Sequence, residues 1–472
     1  METLARAANR GSISTGYDID NSLKMEADNS ESMTRTPSSS GNRKTWTLSF
    51  WFKRTELGAA VRLFEAWDGS TGTSALFTDA DLFILDLTAG GNYFTSSAVF
   101  RDTSAWYHFV IRVDTTQGTA SERARVYVNG SELAGSWNSN IGQNTDLTWN
   151  QNVVHYLGVF HNSGNFANGY YAEVINVDGT SLAPTAFGEF DSDSGIWKPK
   201  NASVTYGTNG FKLEFKSSGS LGADTSGNGH TWTLNNITSA DQATDTPTNN
   251  FATGNPLVPL KANTILTNGA TNYKNVGSAG WSGFASSIAV QSGKWYVEFT
   301  AAGATTMCGV GNINDFLNSI YYGNWNTSIG FYGTAGLLFI DGATSGAGPN
   351  NTWTGTAYGN GDIVGIALDK DNGCVYMSVN GTFANSGDPT SGASKTGGVE
   401  LTKGNSDYSA SDYFYIGASH NIDNGVLQAN YGGYTTDTPS SAATDANGYG
   451  TFEYAPPSGY YALCTKNLAE YG

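Results

Sequence analysis

The sequence is poor in positively charged residues. It contains 24 lysines and arginines against 41 aspartates and glutamates, which leaves a formal net charge of -17 over 472 residues. A protein that binds a phosphate backbone needs a cationic surface, whereas the scattered acids of this chain indicate solubility. We therefore do not expect nucleic acid as a partner.

Cysteine is also scarce, and long apolar segments are absent. The three cysteines, Cys308, Cys374 and Cys464, are odd in number and far apart, so we expect neither a disulfide framework nor a zinc site. No apolar run approaches the length of about 18 residues that suggests a membrane-spanning helix. The N-terminal sequence METLARAANRG contains no apolar signal region. We therefore expect no secretory signal and no membrane insertion.

Glycine and aromatic residues, in contrast, are abundant. The chain has 59 glycines, and 13% of its residues are aromatic, whereas only 14% are charged. Average proteins contain about 7% glycine and about 25% charged residues. This composition is typical of a rigid, turn-rich β protein with ample apolar surface to bury, and the length indicates two large domains.

Alternating apolar residues predict β-strands along most of the chain. In TWTLSFWFK, the residues Trp46, Leu48, Phe50 and Phe52 fall on one face. WYHFVIRVD, KWYVEF and GDIVGIALD show the same period of two. Strands at short regular spacing without intervening helices indicate antiparallel sandwiches, so we expect an all-β fold.

One short ending occurs twice in the sequence. VYVNG ends at Gly130 and VYMSVNG ends at Gly381, and each follows an apolar strand and a turn. Asparagine and glycine tolerate the positive φ of a tight turn, so we expect each copy to belong to a β-hairpin. The turn from Asp369 to Gly373 begins like an EF-hand loop, but its glycine stands fifth rather than sixth, which favours a plain hairpin.

A polar region separates two halves of the chain. Residues 217–259 are rich in Ser, Gly, Asn, Thr and Pro, which is typical of loops between two bodies. We predict a short N-terminal extension at residues 1–16, one sandwich at 17–245 and a second at 246–472. The extension carries Arg6 and Arg10 on an otherwise acidic chain, so we expect it to dock on a partner.

The two halves resemble two known families. TWTLSFWFKR, WYHFVIRVDTT, ARVYVNG and GYYAEVINVDG resemble the concanavalin A-like, laminin G-like jelly roll. KWYVEF, GDIVGIALDKDNGCVYMSVNG and the terminal PPSGYYALCTKNL resemble the SPRY domain, which is itself a concanavalin-like two-sheet fold. The resemblance implies that the two Val-Asn-Gly hairpins are equivalent elements of two related sandwiches.

The tandem as a whole is similar to structural proteins of tailed bacteriophages, especially marine ones. The segments that carry this likeness are FGEFDSDSGIWKPK, YGTNGF, DTSGNGHTW and DTPTNNFATGNPL. The resemblance implies a virion protein at the particle surface, either a tail or head fibre or a capsid decoration. Its expected partners are other virion proteins and host-surface glycans, and the symmetry of phage appendages favours a homo-oligomer, most simply a trimer.

The sequence offers little support for catalysis. A concanavalin-like glycosidase carries Glu-x-Asp-x-Glu on one strand, which holds two carboxyl groups about 5 Å apart, and this chain lacks that motif. The string from Glu189 to Asp193 has no second glutamate and is more typical of a polar turn. We therefore expect a protein that is not an enzyme. A glycan hydrolase and a peptide-binding SPRY module stay as alternatives.

One loop is a candidate ligand site. The stretch Tyr321-Tyr322-Gly323-Asn324-Trp325-Asn326 places three aromatic rings among Gly and Asn. Rings of this kind stack on the C–H faces of sugars, and Asn amides bond to sugar hydroxyls. Tyr321, Tyr322, Asn324 and Trp325 are thus candidate glycan contacts. The alternative is that Trp325 plugs one end of the sandwich, since large aromatic residues are mostly buried.

Calcium is the one cofactor that the resemblance leaves open. Laminin G-like domains sometimes hold calcium at their rim through aspartate carboxylates and backbone carbonyls. Asp68, Asp79 and Asp81 are the candidate ligands, because calcium accepts such oxygens in flexible geometry. The alternative is that these acids are solvated loop residues.

Overall fold

The protein folds as two compact units. The computed structural model describes residues 16–161, 164–258, 264–276, 280–312, 321–324, 328–340, 343–344, 353–402 and 409–472. The units comprise Met1–Thr248 and Asn249–Gly472, and both consist mainly of antiparallel sheets, so the all-β prediction is confirmed. The predicted domains at 17–245 and 246–472 stay predictions, as does the extension at 1–16, of which all but Gly16 lies outside the described residues.

The strands of the first unit are short to medium in length. They are β1 (Ser22–Met25), β2 (Ser32–Arg35), β3 (Thr45–Arg54), β4 (Val61–Trp67), β5 (Gly72–Phe77), β6 (Leu82–Asp86), β7 (Tyr93–Val99), β8 (Trp106–Asp114), β9 (Ala124–Val128), β10 (Ser131–Glu132), β11 (Gly135–Trp137), β12 (Val154–Leu157), β13 (Gly169–Asp178), β14 (Gly188–Phe190), β15 (Trp197–Pro199), β16 (Phe211–Leu213), β17 (Thr233–Asn235) and β18 (Gln242–Ala243).

Two sheets of the first unit enclose its core. Sheet A has the order β10-β9-β8-β3-β13-β1-β18, with β16 also paired to β13, and sheet B has the order β11-β7-β6-β5-β4-β12-β2-β17. β14 and β15 form a separate hairpin. Trp46, Leu48, Phe50 and Phe52 of β3 belong to the core and are at most 1% exposed, as their alternation predicted.

The second unit also consists of short to medium strands. Its strands are β19 (Thr264–Thr267), β20 (Asn272–Asn275), β21 (Ser282–Ala285), β22 (Lys294–Thr300), β23 (Thr306–Asn312), β24 (Ser328–Tyr332), β25 (Leu337–Ile340), β26 (Ala343–Thr344), β27 (Ile363–Asp369), β28 (Cys374–Val379), β29 (Thr382–Phe383), β30 (Val399–Glu400), β31 (Phe414–His420), β32 (Val426–Asn430) and β33 (Tyr461–Ala462).

Sheet C of this unit has the order β19-β20-β32-β22-β27-β28-β29, with β30 on β28 and β33 on β22, and sheet D has the order β21-β31-β23-β24-β25-β26.

Helices contribute little to either unit. The α-helix that the structure describes is α1 (Thr465–Tyr471). Short 3-10 turns lie at Ala120–Glu122, Pro184–Ala186, Ser218–Ser220, Ser239–Asp241, Thr334–Gly336, Ala384–Ser386 and Pro389–Ser394. Within the described ranges, no helix is both long and apolar enough to cross a membrane.

The two units share one strand order. Sheet C reads β29-β28-β27-β22-β32-β20-β19, which matches β10-β9-β8-β3-β13-β1-β18 of sheet A position by position. Sheet D reads β21-β31-β23-β24-β25-β26, which matches β2-β12-β4-β5-β6-β7 of sheet B. Strands β1–β10, β12 and β13 thus have counterparts, in the same chain order, in β20–β29, β31 and β32. The chain is a topological duplication.

The repeated Val-Asn-Gly ending forms the same turn in both units. It joins β9 to β10 and β28 to β29 by two-residue loops. The φ angles are +48° at Asn129 and +79° at Gly130, and they are again +48° at Asn380 and +79° at Gly381. Two positive φ angles define the type I′ turn, which suits the twist of a β-hairpin. The hairpin prediction is therefore confirmed for both copies.

The asparagine of each turn also holds the preceding strand. Asn129 Oδ1 accepts a hydrogen bond from the backbone N–H of His108 at 2.8 Å, and Asn380 Oδ1 accepts one from Ile363 at 2.9 Å. The backbone N–H groups of Asn129 and Asn380 donate to the carbonyls of the same two residues. The asparagine side chain therefore extends the ladder between β8 and β9, and the ladder between β27 and β28, by one bond.

Candidate functional site

The loop that was predicted to bind a ligand packs on the outer face of sheet D. Tyr322 is only 2% exposed, and its hydroxyl donates to the backbone carbonyl of Phe284 at 3.1 Å. The structure therefore corrects the prediction for Tyr322, which is buried against the outer face of sheet D and is not a surface contact. Asn324 is half-buried, and its backbone N–H donates to the carbonyl of Tyr321 at 3.4 Å. Trp325 lies outside the described residues.

Tyr321 belongs to a group of four half-buried rings. The ring centroids of Trp281 and Tyr321 lie 4.9 Å apart, and those of Trp281 and Tyr332 lie 5.7 Å apart. Phe339 completes the group at 6.3 Å from Tyr321 and 5.6 Å from Tyr332. We call these four residues the aromatic cluster. All four are partly accessible to solvent.

Strand alternation places the aromatic cluster on the outer face. Phe331 of β24 and Leu338 of β25 point into the core of the second unit. Side chains alternate between the two faces of a strand, so Tyr332 and Phe339 point away from that core. Trp281 directly precedes β21, and Tyr321 begins the loop that packs on this face. The cluster thus combines two strand residues with one residue from each of two connections.

Glycines in sheet D allow the loop to lie close to the strands. A β-carbon at Gly417 would lie 2.2 Å from the hydroxyl oxygen of Tyr322, and one at Gly330 would lie 2.4 Å from its backbone oxygen. Any larger residue at these positions would lift the loop. The close approach buries Tyr322 against this face, whereas its neighbour Tyr321 stays partly exposed and packs against Trp281.

Sequence reasoning found one of the four rings. Trp281, Tyr332 and Phe339 were missed because they come from separate segments that only the pairing of sheet D brings together. A signal did exist in SIGFY and LLFI, where period two puts Tyr332 and Phe339 opposite the core residues. An aromatic residue on the polar side of a strand is the pattern that could have identified them.

The first candidate calcium ligand is already neutralised by protein groups. Asp81 is 3% exposed and accepts hydrogen bonds from Arg54 Nη2 at 3.0 Å, Gly58 N at 2.9 Å and Arg101 Nε at 2.8 Å. Burial opposes ionisation, but these donors lower the pKa of Asp81 overall. The predicted role of Asp81 as a calcium ligand is therefore corrected, because two guanidinium groups occupy its carboxylate.

The other two candidate ligands are surface residues. Asp68 is exposed and accepts hydrogen bonds from the backbone N–H groups of Ser70 at 2.9 Å and Thr71 at 2.8 Å, which closes a turn. Asp79 is exposed as well. Asp68, Asp79 and Asp81 do not form a group, and the described part of the chain contains no cluster of three or more His, Cys, Asp or Glu residues suited to a metal ion.

The acidic string from Glu189 to Asp193 runs from the end of β14 into the turn before β15. Asp191 Oδ1 accepts hydrogen bonds from the backbone N–H groups of Ser194 at 2.9 Å and Asp193 at 3.1 Å, and Lys198 Nζ donates to Asp191 Oδ2 at 3.1 Å. The bonds from Ser194 and Lys198 lower the pKa of Asp191. The preferred interpretation of this string as a polar turn is confirmed for Asp191 to Asp193, whereas Glu189 and Phe190 belong to β14.

A serine and a histidine that the sequence did not pair lie together on sheet A. Ser49 Oγ is 2.8 Å from His108 Nε2, and Trp197 Nε1 donates to His108 Nδ1 at 2.9 Å. Because Nδ1 accepts, the ring proton sits on Nε2, which then donates to Ser49. Burial lowers the pKa of His108 to about 3. In this tautomer the imidazole cannot take a proton from Ser49. The hydrogen bond between Trp197 and His108 instead holds the Trp197 ring in position.

Comparison with known protein families identifies the fold of the first unit. Residues 28–180 match the model of a laminin G family within the concanavalin A-like lectin/glucanases superfamily. No curated protein matches the chain significantly. The match covers most of the strands of sheets A and B, so the first unit is similar to this family over most of its two sheets.

Several solved structures are similar to parts of the chain. A candidate carbohydrate binding protein from Bacteroides ovatus ATCC 8483 is 16% identical with a TM-score of 0.33, and the match covers 47% of this chain and 60% of that protein. The TRIM65 PSpry domain is 14% identical with a TM-score of 0.27 over 38% of this chain and 91% of that domain. A heptameric SAP-like pentraxin from Limulus polyphemus is 17% identical with a TM-score of 0.28 over 36% of this chain and 80% of that protein.

Proposed function

We propose that this chain, in which a concanavalin A-like sandwich precedes a SPRY-like sandwich, is a glycan-binding structural protein of a phage particle. The observation that carries glycan binding is the aromatic cluster of Trp281, Tyr321, Tyr332 and Phe339. Large aromatic side chains on the solvent side of a sheet are less buried than they would be in a core. Clusters of such apolar groups at the surface are typical of binding sites. The cluster is therefore the proposed ligand surface.

The chemistry of the aromatic cluster suits a sugar. Its rings present apolar faces to the C–H groups of a pyranose, while the hydroxyls of Tyr321 and Tyr332 can donate to and accept from sugar hydroxyls. Because each ring packs against at least two others, little side-chain entropy remains to be lost on binding. The site is thus preorganised.

The setting on a phage particle is supported by the sequence likeness of two segments to phage proteins. FGEFDSDSGIWKPK and DTPTNNFATGNPL resemble segments of structural proteins of tailed bacteriophages. In this setting the protein is a tail fibre, a head fibre or a capsid decoration at the particle surface. Its partners are other virion proteins and glycans of the host surface, and the role requires no catalysis, cofactor, nucleic acid or membrane insertion.

We further propose that the protein assembles as a homo-oligomer, most simply a trimer. Phage appendages commonly obey closed rotational symmetry, in which each copy repeats one contact. Multi-angle light scattering of the purified chain, together with the copy number per particle, tests this state. A monomer in both measurements would exclude it.

A peptide ligand is the second candidate for the same surface. Clustered aromatic residues also bind protein partners, because aromatic residues are frequent hot spots of protein–protein interfaces. The two candidates differ in the ligand and not in the residues, so one set of variants serves both. An array of peptides beside an array of glycans separates them.

Binding of the full-length chain to a glycan array tests the proposed function. We expect Trp281→Ala to weaken binding at least about 10-fold, because loss of one stacking ring removes about 1.4 kcal/mol. Tyr471→Ala is the matched control, since Tyr471 is also half-buried and stacks on Tyr461 with ring centroids 3.8 Å apart. Unchanged binding in Trp281→Ala, or binding to peptides alone, would overturn the proposal. Turnover of the bound glycans would assign a hydrolase instead.

A further inference from the structure

Three charged side chains meet at the β1–β18 edge of sheet A in the first unit. Lys24 Nζ lies 2.6 Å from Asp241 Oδ1 and 3.1 Å from Glu31 Oε1. The side chains of Lys24, Glu31 and Asp241 are 1%, 2% and 8% exposed. We call these three residues the buried triad. It brings one amine and two carboxyl groups together where little water reaches them.

The register of two strands positions the buried triad. In the antiparallel pairing of β1 with β18, Leu23 stands opposite Gln242. The same register places Lys24 opposite Asp241, which directly precedes β18. Glu31 directly precedes β2. β1 is the first strand of the unit and β18 is the last that the structure describes, so the triad connects the two ends of the unit.

Thr238 holds one carboxylate oxygen of Asp241, and Lys24 contacts the other. The backbone N–H and the hydroxyl of Thr238 donate to Asp241 Oδ2 at 2.7 and 3.1 Å. Two donors on one oxygen stabilise negative charge there, as in an oxyanion hole. Because a carbon–oxygen bond is about 1.2 Å long, Lys24 Nζ lies within about 4 Å of Asp241 Cγ. The carbonyl carbon is therefore polarised and has a nucleophile within reach.

Glu31 is placed to carry protons between the other two members of the triad. Both of its carboxylate oxygens lie 3.1 Å from Lys24 Nζ. Burial raises the pKa of Glu31, against the charge of Lys24 and the hydrogen bond from Asn29, and the charge of Asp241 adds to the rise. One ammonium group faces two carboxylates, so a proton on Glu31 cancels the excess negative charge. Glu31 can thus take a proton from Lys24 and pass it on.

We propose that the buried triad forms an intramolecular amide bond between Lys24 and Asp241, with Glu31 as the proton carrier. Lys24 Nζ passes a proton to Glu31 and attacks Asp241 Cγ, so that the Nζ–Cγ bond forms. The Cγ–Oδ1 bond then breaks, and Oδ1 leaves as water with two of the three ammonium protons, which Glu31 delivers. One ammonium and one carboxylate thus become a neutral amide and water. Removal of a buried ion pair and escape of the water favour this product.

The amide bond ties the start of the first unit to its end. Separation of β1 from β18 then opens only the ladder pairs outside the link, which are Ser22 with Ala243 and Leu23 with Gln242. A covalent link between distant residues also restricts the unfolded chain, as a disulfide does, and so stabilises the fold. The bond is a modification of the first unit and does not depend on glycan binding.

Mass spectrometry of the denatured full-length chain tests whether the bond forms. We expect the wild type to be lighter than its sequence by the mass of one water. Trypsin cuts after Lys and Arg but not after an amide-linked Lys24, so it should leave residues 11–35 joined to residues 217–261. Lys24→Arg keeps the charge but removes the amine, and Glu31→Gln keeps the shape but removes the proton carrier. Both variants should have the full mass and give separate peptides.

Lys44→Arg is the control, since Lys44 pairs with Asp146 at 4.0 Å on the surface, and this variant should keep the link. Water that is lost through a succinimide leaves the two peptides separate, so the joined peptide identifies the bond. A wild-type chain with the full mass or with separate peptides overturns the proposal without reference to any variant. A joined peptide that persists in Lys24→Arg overturns it as well, and one that persists in Glu31→Gln excludes Glu31 as the proton carrier.

Discussion

At the residue scale, charges inside the first unit are neutralised by partners that are distant in sequence. Lys53 Nζ lies 2.6 Å from Asp245 Oδ2, and both side chains are at most 1% exposed. Trp106 Nε1 donates to the other carboxylate oxygen of Asp245 at 3.1 Å. Burial lowers the pKa of Lys53, and the charge of Asp245 opposes that shift. The pair thus ties the end of the first unit to β3.

Removal of the acid from this pair should be costly. We expect Asp245→Ala to lower the free energy of unfolding of the first unit by about 3–5 kcal/mol, because Lys53 stays buried without a counter-charge. Asp146→Ala is the control, since Asp146 pairs with Lys44 at 4.0 Å on the surface and should cost at most about 1 kcal/mol. Urea unfolding followed by tryptophan fluorescence measures both, and similar losses would contradict the argument.

Glu65 should make stability depend on pH. Burial raises its pKa from 4.5 to about 7, against the charge of Arg62 and the hydrogen bond from His161 N, while Asp86 adds to the rise. A raised folded pKa means that its contribution is fully present below pH 4.5 and is lost as the pH rises through 7. Glu65→Gln mimics the protonated form, so its stability advantage over the wild type should grow by about 2–3 kcal/mol between pH 4.5 and 8.

Urea unfolding of both proteins at several pH values measures this difference, and comparison with the wild type cancels the titration of other groups to first order. A difference that does not change with pH would show that Glu65 is ionised throughout.

Residue-level burial was the least predictable property. Tyr321 and Tyr322 are adjacent in an aromatic loop, yet Tyr321 joins a half-buried cluster whereas Tyr322 is buried, because Gly330 and Gly417 of sheet D leave room for Tyr322 to pack closely. Likewise, the sequence around Asp81 shows an acid in a loop and gives no sign of Arg54 and Arg101. The sequence shows which residue types a loop contains. Which residues they contact depends on the pairing of strands that are distant in the sequence.

At the element scale, each Val-Asn-Gly turn lies beneath an aromatic ring. A β-carbon at Gly130 would lie 2.3 Å from the ring of Trp197, and one at Gly381 would lie 2.5 Å from the ring of Tyr454. Glycine is thus required twice over, for its positive φ and for the contact with the ring. The two hairpins could be predicted because their signals, period two and Asn-Gly, are local in the sequence.

Substitution of these turn glycines separates the two requirements. Gly448 has φ +79°, the same as Gly381, but a β-carbon there would contact nothing. We expect Gly448→Ala to cost about 1 kcal/mol from backbone strain alone. Gly381→Ala should cost about 1–3 kcal/mol more, because it also displaces the Tyr454 ring. Thermal unfolding of the second unit measures both, and equal costs would show that the ring contact adds nothing.

At the scale of the whole molecule, the chain repeats one architecture with different surface chemistry. The strand order of sheets A and B recurs in sheets C and D, yet the outer face carries charges in the first unit and aromatic rings in the second. The presence of two sandwiches could be predicted from length, turn spacing and resemblance. The strand order could not, since it depends on pairings between segments that are far apart in the chain.

The predicted N-terminal extension can be tested on the whole molecule. We expect deletion of residues 1–16 to leave the melting temperature of the first unit unchanged within about 2 °C, since Tyr17 is the first anchored residue that we identify. Its hydroxyl donates to Glu173 and accepts from Lys212 Nζ at 3.2 Å. The truncated protein should fail to incorporate into particles. Normal incorporation would exclude docking through this segment.

The central claim is that the aromatic cluster binds sugar by stacking, and saturation-transfer difference NMR tests it most directly. The ligand is a glycan that the wild-type chain binds on the array. Irradiation of aromatic protons in the wild type and in Tyr471→Ala should transfer magnetisation to the C–H protons of one sugar face. The account predicts that this transfer falls at least 5-fold in Trp281→Ala. Equal transfer in Trp281→Ala and in the wild type would contradict it.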